Sequence, residues 1–278
     1  MKSQATPTRE RVDLRAHFRL HATPLTREFP IDRRLPLPPA EQALDALRTV
    51  VQERMSAALI APAGTGKTVV LRALIDALPE ARYRVHYLHV TALSKRDFCR
   101  HLATAIGAEP AGHTGALVNA IQQRATTLSE TNALRPVLIL DEAHEMRPEV
   151  LGLLRLLTNF EVDSRLVLSI IIAGQPPLRD LLRRQEMEAI RGRLAHLATL
   201  RTLSREESRA YVQHRLLIAG ATEALFDDAA YDALFEVAQG NLRALNTIAR
   251  GALYEAAADA ARCCGTEHVV RARAKVVA

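Results

Sequence analysis

The chain has 278 residues, 48% of them apolar and 24% charged, with 12 glycines and 13 prolines. That is ordinary globular usage, which excludes collagen-like, low-complexity and wholly disordered chains and leaves room for about two compact units. Lys and Arg outnumber Asp and Glu by 37 to 31, a net charge of +6. Trp is absent, with only five Tyr and six Phe, so aliphatic side chains must fill the core, which favours helices around a buried sheet over an all-β sandwich. The longest apolar run, residues 166–173, is under half the ~20 residues of a membrane span, and the first residues lack a signal-peptide apolar region. A cytoplasmic protein without a membrane partner is expected. Cys99, Cys263 and Cys264 form neither a disulfide framework nor a zinc spacing and read as small buried thiols of a reducing compartment.

Residues 1–40 carry six of the prolines and, up to residue 36, eight basic against four acidic side chains. Proline withholds a backbone donor and restrains its predecessor to extended conformations, so this segment reads as an irregular basic arm. Such an arm is either a solvated tail or a means of meeting phosphates by counterion release. Leu44, Leu47, Val51 and Met55 recur at helical spacing. Ala57–Ala61 is a short apolar strand running into a Gly-rich turn, followed by a helix over 67–77, a strand over 83–90 and helices over 95–106 and 115–128. Apolar runs recur at 137–140 and 166–173, separated by a helix through 151–157. Continuous apolar runs imply strands covered on both faces, so 41–200 is expected to form a parallel sheet in a three-layer α/β domain. Beyond Leu200 the strand signals stop. Helices are expected over 204–219, 227–238 and 242–260, the first opened by a Ser204…Glu207 capping box. They make 201–278 a small helical lid with a short basic tail.

Pro62-Ala63-Gly64-Thr65-Gly66-Lys67-Thr68, between a strand and a helix, fits a phosphate-binding loop. Gly64 and Gly66 let successive N–H groups curl toward phosphates, the helix N-terminus adds its dipole, Lys67 adds a point charge, and the Thr68 hydroxyl suits Mg²⁺. Ala61 stands where the pattern has its first glycine and strains the turn if that position needs positive φ. The run Val137–Leu140 ends in Asp141-Glu142, which sets Asp141 beside the metal and lets Glu142 polarise water. A carboxylate pair after a strand can also cap the next helix, but its combination with the loop favours chemistry. His144 reads as a hydrogen-bonded neighbour of this pair.

Together with Leu153–Asn159, Ala173-Gly174-Gln175-Pro176 and Gln239-Gly240-Asn241-Leu242-Arg243, these motifs resemble the AAA+ ATPases. The resemblance is narrower to the ExeA-like branch, which includes secretion and pilus ATPases and transposition helpers of the TniB and TnsC kind, and it covers about residues 14–262. The segment His17-Phe18-Arg19-Leu20 through Pro30 is similar to that branch's aromatic and proline-rich leading segment, which packs near the adenine; the usual Phe-Gly-Leu is Phe18-Arg19-Leu20 here. The resemblance implies ATP and Mg²⁺ as cofactors, with Thr68 and Asp141 on the metal and Glu142 activating water. It also implies Gln175 as the sensor-1 side chain, Arg193 as an arginine finger serving a neighbouring subunit, with Arg191 as its fallback, and Arg243 as the sensor-2 arginine.

Two uses of ATP follow from the resemblance. In the first, the chain forms a homo-oligomeric ring or filament on double-stranded DNA and regulates target selection or recruitment of a transposase or integrase, alongside a target-selection protein. Lys95 and Arg96, at a helix start, are then the candidate DNA contacts. In the second, it energises secretion or type IV pilus assembly. A static nucleotide switch is disfavoured because Glu142 is present.

Overall fold

The computed structural model describes residues 13–158 and 166–277. They form two compact units, 36–201 and 13–35 with 202–277.

The leading segment contains α1 (Leu14–Phe18), and 36–201 opens with α2 (Pro38–Gln52), which begins on prolines that suit a first helical turn. Then come β1 (Ser56–Ile60), α3 (Lys67–Asp76), β2 (Tyr83–His89), α4 (Lys95–Ile106), α5 (Thr114–Glu130), β3 (Arg135–Asp141) and the short α6 (Pro148–Leu151) and α7 (Leu154–Leu157). After residues 159–165, which lie outside the described part and include Asn159, follow β4 (Ser169–Gly174), α8 (Pro177–Arg183), α9 (Glu188–Arg191) and β5 (Leu194–Thr199).

Every strand pair is parallel, in the order β2-β3-β4-β1-β5. In β1, β3 and β4 both faces are covered. Ala58, Ile60, Leu138, Leu140, Ile170 and Ile172 join Phe98 and Leu102 of α4 and Leu117 and Ile121 of α5 in one core. The alternate residues Leu59, Ile139 and Ile171 are also buried, as are Leu47 and Val51 of α2 and Leu71 and Leu74 of α3. The expected three-layer α/β domain is thus present.

Two details differ from the sequence reading. The helix expected through 151–157 is two single turns, interrupted at Gly152-Leu153. A fifth strand, β5, follows α9 where no strand was expected; as an edge strand it is largely exposed and has His196 within it, so its sequence lacks a buried strand's apolar run.

The other unit contains α10 (Arg205–Leu217), α11 (Asp228–Ala238), α12 (Leu242–Ala258) and α13 (Thr266–Val277). The capping box forms as expected: Glu207 N donates to Ser204 Oγ at 3.2 Å and Ser204 N to Glu207 Oε2 at 2.8 Å. Asn241 caps α12, accepting from Arg243 N and Ala244 N at 3.1 Å each. Gly240 before it has φ +69°, and a Cβ there would collide with the Leu203 carbonyl oxygen, while Leu203 N donates to Gly240 O at 3.0 Å. The Gln-Gly-Asn sequence therefore fastens the start of α10 against the start of α12.

Residues 13–35 are largely irregular outside α1, as their prolines imply, but they are packed rather than extended as an arm. They lie along these helices, tied by side chains far away in sequence: His17 Nε2 meets Ala261 O and His214 Nε2 meets Arg33 O, each at 2.8 Å, and His21 Nδ1 meets Ala219 O. Arg215, 3% exposed, donates to Thr26 O at 2.6 Å and stacks 4.3 Å from the Phe29 ring centroid. The part of the basic arm at residues 1–12 lies outside the described residues. Of the three thiols, Cys99 and Cys264 are buried as expected, but Cys263 is exposed.

Candidate functional site

Parallel strands bring their carboxyl ends to one edge of the sheet, where α/β folds bind ligands. β1 delivers the loop 61–66 there, β3 delivers Asp141 and Glu142, and β4, lying between them, delivers Gln175.

Ala61 settles into this loop without strain. It is absent from the positive-φ residues, is fully buried, and extends the ladder by donating from its N to Gly174 O at 2.9 Å. The left-handed positions are Gly64 (φ +80°) and Gly66 (φ +101°). Thr65 fastens the turn, its Oγ1 donating to Pro62 O at 2.8 Å. Gly66 then caps α3, its carbonyl accepting from Val69 and Val70 N, so the free amides of the first helical turn open on this loop. Pro62 and Gly64 are half-buried, and Ala63 and Thr68 are exposed at the sheet edge.

Lys67 begins α3 and is 7% exposed. Its ammonium donates to Asp141 Oδ1 and, at 2.5 Å, to Glu142 Oε1. Asp141 Oδ1 also accepts from Glu142 N at 2.8 Å, and its Oδ2 accepts from the Tyr87 hydroxyl at 2.7 Å. Burial alone raises the Asp141 pKa, but hydrogen bonds from Lys67 and Tyr87, with the Lys67 charge and the Glu142 amide, carry it below the usual carboxylate value. Burial first, then the hydrogen bond and charge of Asp141, push the Tyr87 phenol upward, so it stays a donor at neutral pH.

Glu142 has φ +59° and ψ +32°, a left-handed conformation uncommon outside glycine and found where structure over-determines it. Its Oε2 faces Gln175 Nε2 at 3.5 Å and His144 Nδ1 at 3.4 Å, while His144 Nε2 faces Glu145 Oε1 at 3.3 Å. His144 Nδ1 also accepts from the backbone N of Gln175 at 3.4 Å, so this histidine is a bridge between the two loop ends. Gly174 permits that approach: a Cβ there would lie 3.1 Å from His144 N and 2.9 Å from Leu178 Cδ2.

Lys67, Asp141, Glu142 and Gln175 therefore converge in one hydrogen-bonded cluster. Tyr87 was not foreseen; nothing in its local sequence marks it, because the contact depends on the pairing of β2 with β3. Arg193 lies elsewhere, at the turn into β5, where its Nη1 donates to Ala189 O at 3.1 Å. Leu194 pairs with Ser56 at the amino end of the sheet, whereas Ile60 pairs with Gly174 at the carboxyl end. Arg191 is exposed, at the end of α9. Arg243 is exposed on the first turn of α12 in the other unit, and Lys95 and Arg96 are exposed at the start of α4, after the Ser94 cap.

The Thr68 hydroxyl and the Asp141 carboxylate are hard oxygen donors, and among the described residues no three His, Cys, Asp or Glu side chains gather as a metal cage. Few protein ligands completed by phosphates and water suit Mg²⁺.

An AAA domain family matches residues 49–182. The General secretion pathway protein A of Aeromonas hydrophila is 32% identical over 194 residues, 69% of this chain and 35% of that protein. The chain thus spans about a third of this relative's length. Among solved structures, Cdc6p from Pyrobaculum aerophilum aligns with a TM-score of 0.71 at 19% identity, covering 91% of this chain and 70% of that one. The Aeropyrum pernix ORC1 protein, solved in complex with DNA, aligns at 0.62 with 18% identity, over 86% of this chain and 66% of that one. The Thermotoga maritima RuvB Holliday junction branch migration motor gives 0.55 at 16%, over 85% and 66%. These likenesses concern the fold, a parallel-sheet P-loop domain of the AAA+ kind with a helical C-terminal domain.

Proposed function

The chain belongs to the ExeA-like AAA+ ATPases, and from that premise we propose that it hydrolyses Mg-ATP as a homo-oligomer bound to double-stranded DNA. The observation that carries hydrolysis is the convergence of Lys67 with Asp141 and Glu142, with Gln175 on the far oxygen of Glu142. Residues 62–68 cradle the phosphates, and Lys67 moves its charge from the carboxylates to them. Thr68 and Asp141 hold the magnesium ion, which neutralises phosphate charge when bound. Glu142, released by Lys67, orients and deprotonates the attacking water, and Gln175 reports on the terminal phosphate through the same carboxylate. Arg193 completes the neighbouring subunit's site, and Arg243 takes the sensor-2 role that the resemblance to AAA+ ATPases implies.

Assembly on DNA serves target selection and recruitment of a transposase or integrase in transposition. The excess of basic residues and the exposed Lys95 and Arg96 support DNA contact. Electron microscopy with ATP, with duplex DNA and with both tests this: filaments or rings requiring both are expected, with affinity falling steeply in salt and little dependence on sequence. DNA binding that is absent, or insensitive to salt, overturns it. Glu142→Gln is expected to bind ATP and to hold the assemblies that the unaltered protein dissolves; disassembly at the unaltered rate refutes the role of Glu142.

The 32% identity to a general secretion pathway protein favours a second use of the same site, energising a secretion or type IV pilus assembly whose oligomer docks proteins. Nucleotide-dependent assembly without DNA, together with capture of a secretion component, decides for it.

A further inference from the structure

Tyr87 is a side chain whose two ends live in different surroundings. It is 43% exposed, so packing gives little reason for an aromatic residue there, yet its hydroxyl ends on a carboxylate of a residue that is 3% exposed. The register explains the reach. His89 of β2 pairs with Asp141 of β3, and Tyr87, two residues earlier on the same face, is the diagonal neighbour of Asp141.

Asp141 has donors on both oxygens: Lys67 and the Glu142 amide on Oδ1, and Tyr87 on Oδ2. Lys67 is shared with Glu142, and its service to phosphates takes it away from both. What then still fixes the Asp141 carboxylate is the Glu142 amide on one oxygen and the Tyr87 hydroxyl on the other. Groups that hydrogen-bond a metal-binding carboxylate set its orientation, and their removal weakens metal binding.

We infer that Tyr87 is a positioning residue for the divalent-cation site, its hydroxyl holding Asp141 in the orientation in which it binds the cation that accompanies the nucleotide. This rests on the Mg-nucleotide reading of the site, so the experiment separates the two. Mn²⁺ binding to the full chain with ADP is followed by electron paramagnetic resonance, for the unaltered protein and for Tyr87→Phe, which keeps the ring and removes the hydroxyl. A dissociation constant for Mn²⁺ raised about 10-fold or more is expected in the variant. ADP affinity in EDTA and melting temperature stay unchanged, and turnover approaches the unaltered value at saturating Mg²⁺. Equal Mn²⁺ affinity in the two proteins overturns the role of Tyr87 while leaving the nucleotide site standing. Failure of the unaltered protein to bind Mn²⁺ with ADP overturns the nucleotide reading itself. A loss of turnover at saturating Mg²⁺ with unaltered Mn²⁺ affinity also counts against positioning.

Discussion

Ser56 and Leu194 stand side by side at the amino end of the sheet, and that register decides how Arg193 can act. The phosphate loop leaves the other end of β1, five residues away, or about 16 Å at the usual rise of a strand. Arg193, on the turn before Leu194, is therefore remote from the loop of its own chain, and the finger role proposed for it requires a neighbour's nucleotide. Arg193→Ala is expected to bind nucleotide normally and to lose turnover by about 10³-fold at any protein concentration. Mixed with Glu142→Gln it should regain turnover, because one subunit supplies the intact base and the other the intact arginine. Steady-state ATPase assays of each variant and of the mixture check this, and a mixture as inactive as its parts would refute action between subunits.

Gly240 tests the joint between α10 and α12. An alanine there meets both a left-handed backbone and the Leu203 carbonyl, and Leu203 N already donates to residue 240, so the clash cannot be relieved without losing that bond. Gly240→Ala is expected to cost about 2–4 kcal/mol, read by urea unfolding of the full chain, whereas Gly192→Ala, on an exposed turn with no contact under 3.5 Å, should cost little.

Arg215 anchors the leading segment. Truncation to alanine removes the bond to Thr26 O and the stacking on Phe29, for an expected loss of about 2–3 kcal/mol. Limited trypsin digestion should then cut faster at Arg27, Arg33 and Arg34. Unchanged cleavage in Arg215→Ala would show that the histidine contacts alone suffice.

His86 makes stability depend on acid. Burial, the largest influence, lowers its pKa below 6.5, aided by the charges of Arg84 and Arg124 and opposed by the hydrogen bond to Ala105 O. The folded chain thus keeps a neutral imidazole while the unfolded chain takes up a proton. The unfolded state binds more protons below 6.5, so stability is complete above that value and is lost as pH falls from it toward the folded-state pKa. Urea midpoints between pH 7.5 and 5 should show this slope, and His86→Gln should flatten it. An equal slope in the variant would assign the effect to other groups.

Much of this was legible in the sequence, for physical reasons. Buried central strands have to be apolar throughout, so β1, β3 and β4 could be read from their runs, and the glycines and lysine of the phosphate loop are needed in sequence order. The helix expected over 95–106 is α4, residue for residue. What escaped notice depends on distant parts of the chain. Tyr87 acquires its role from the pairing of β2 with β3, and the leading segment acquires its course from Arg215, 189 residues beyond Thr26. β5 escaped because an edge strand tolerates His196 and an exposed Leu197.

The left-handed turn at Glu142 carries a last implication. Neighbouring side chains of an extended chain diverge to opposite sides, yet two consecutive acids here grip a single ammonium. The reversal of backbone twist immediately after Asp141 brings them together, so the aim of the Glu142 carboxylate is written into a main-chain torsion as much as into its own rotamers. Replacement by a branched residue such as valine would disturb the peptide path and Asp141 with it, confounding loss of the acid with loss of its neighbour; glutamine, equal in shape, isolates the chemistry.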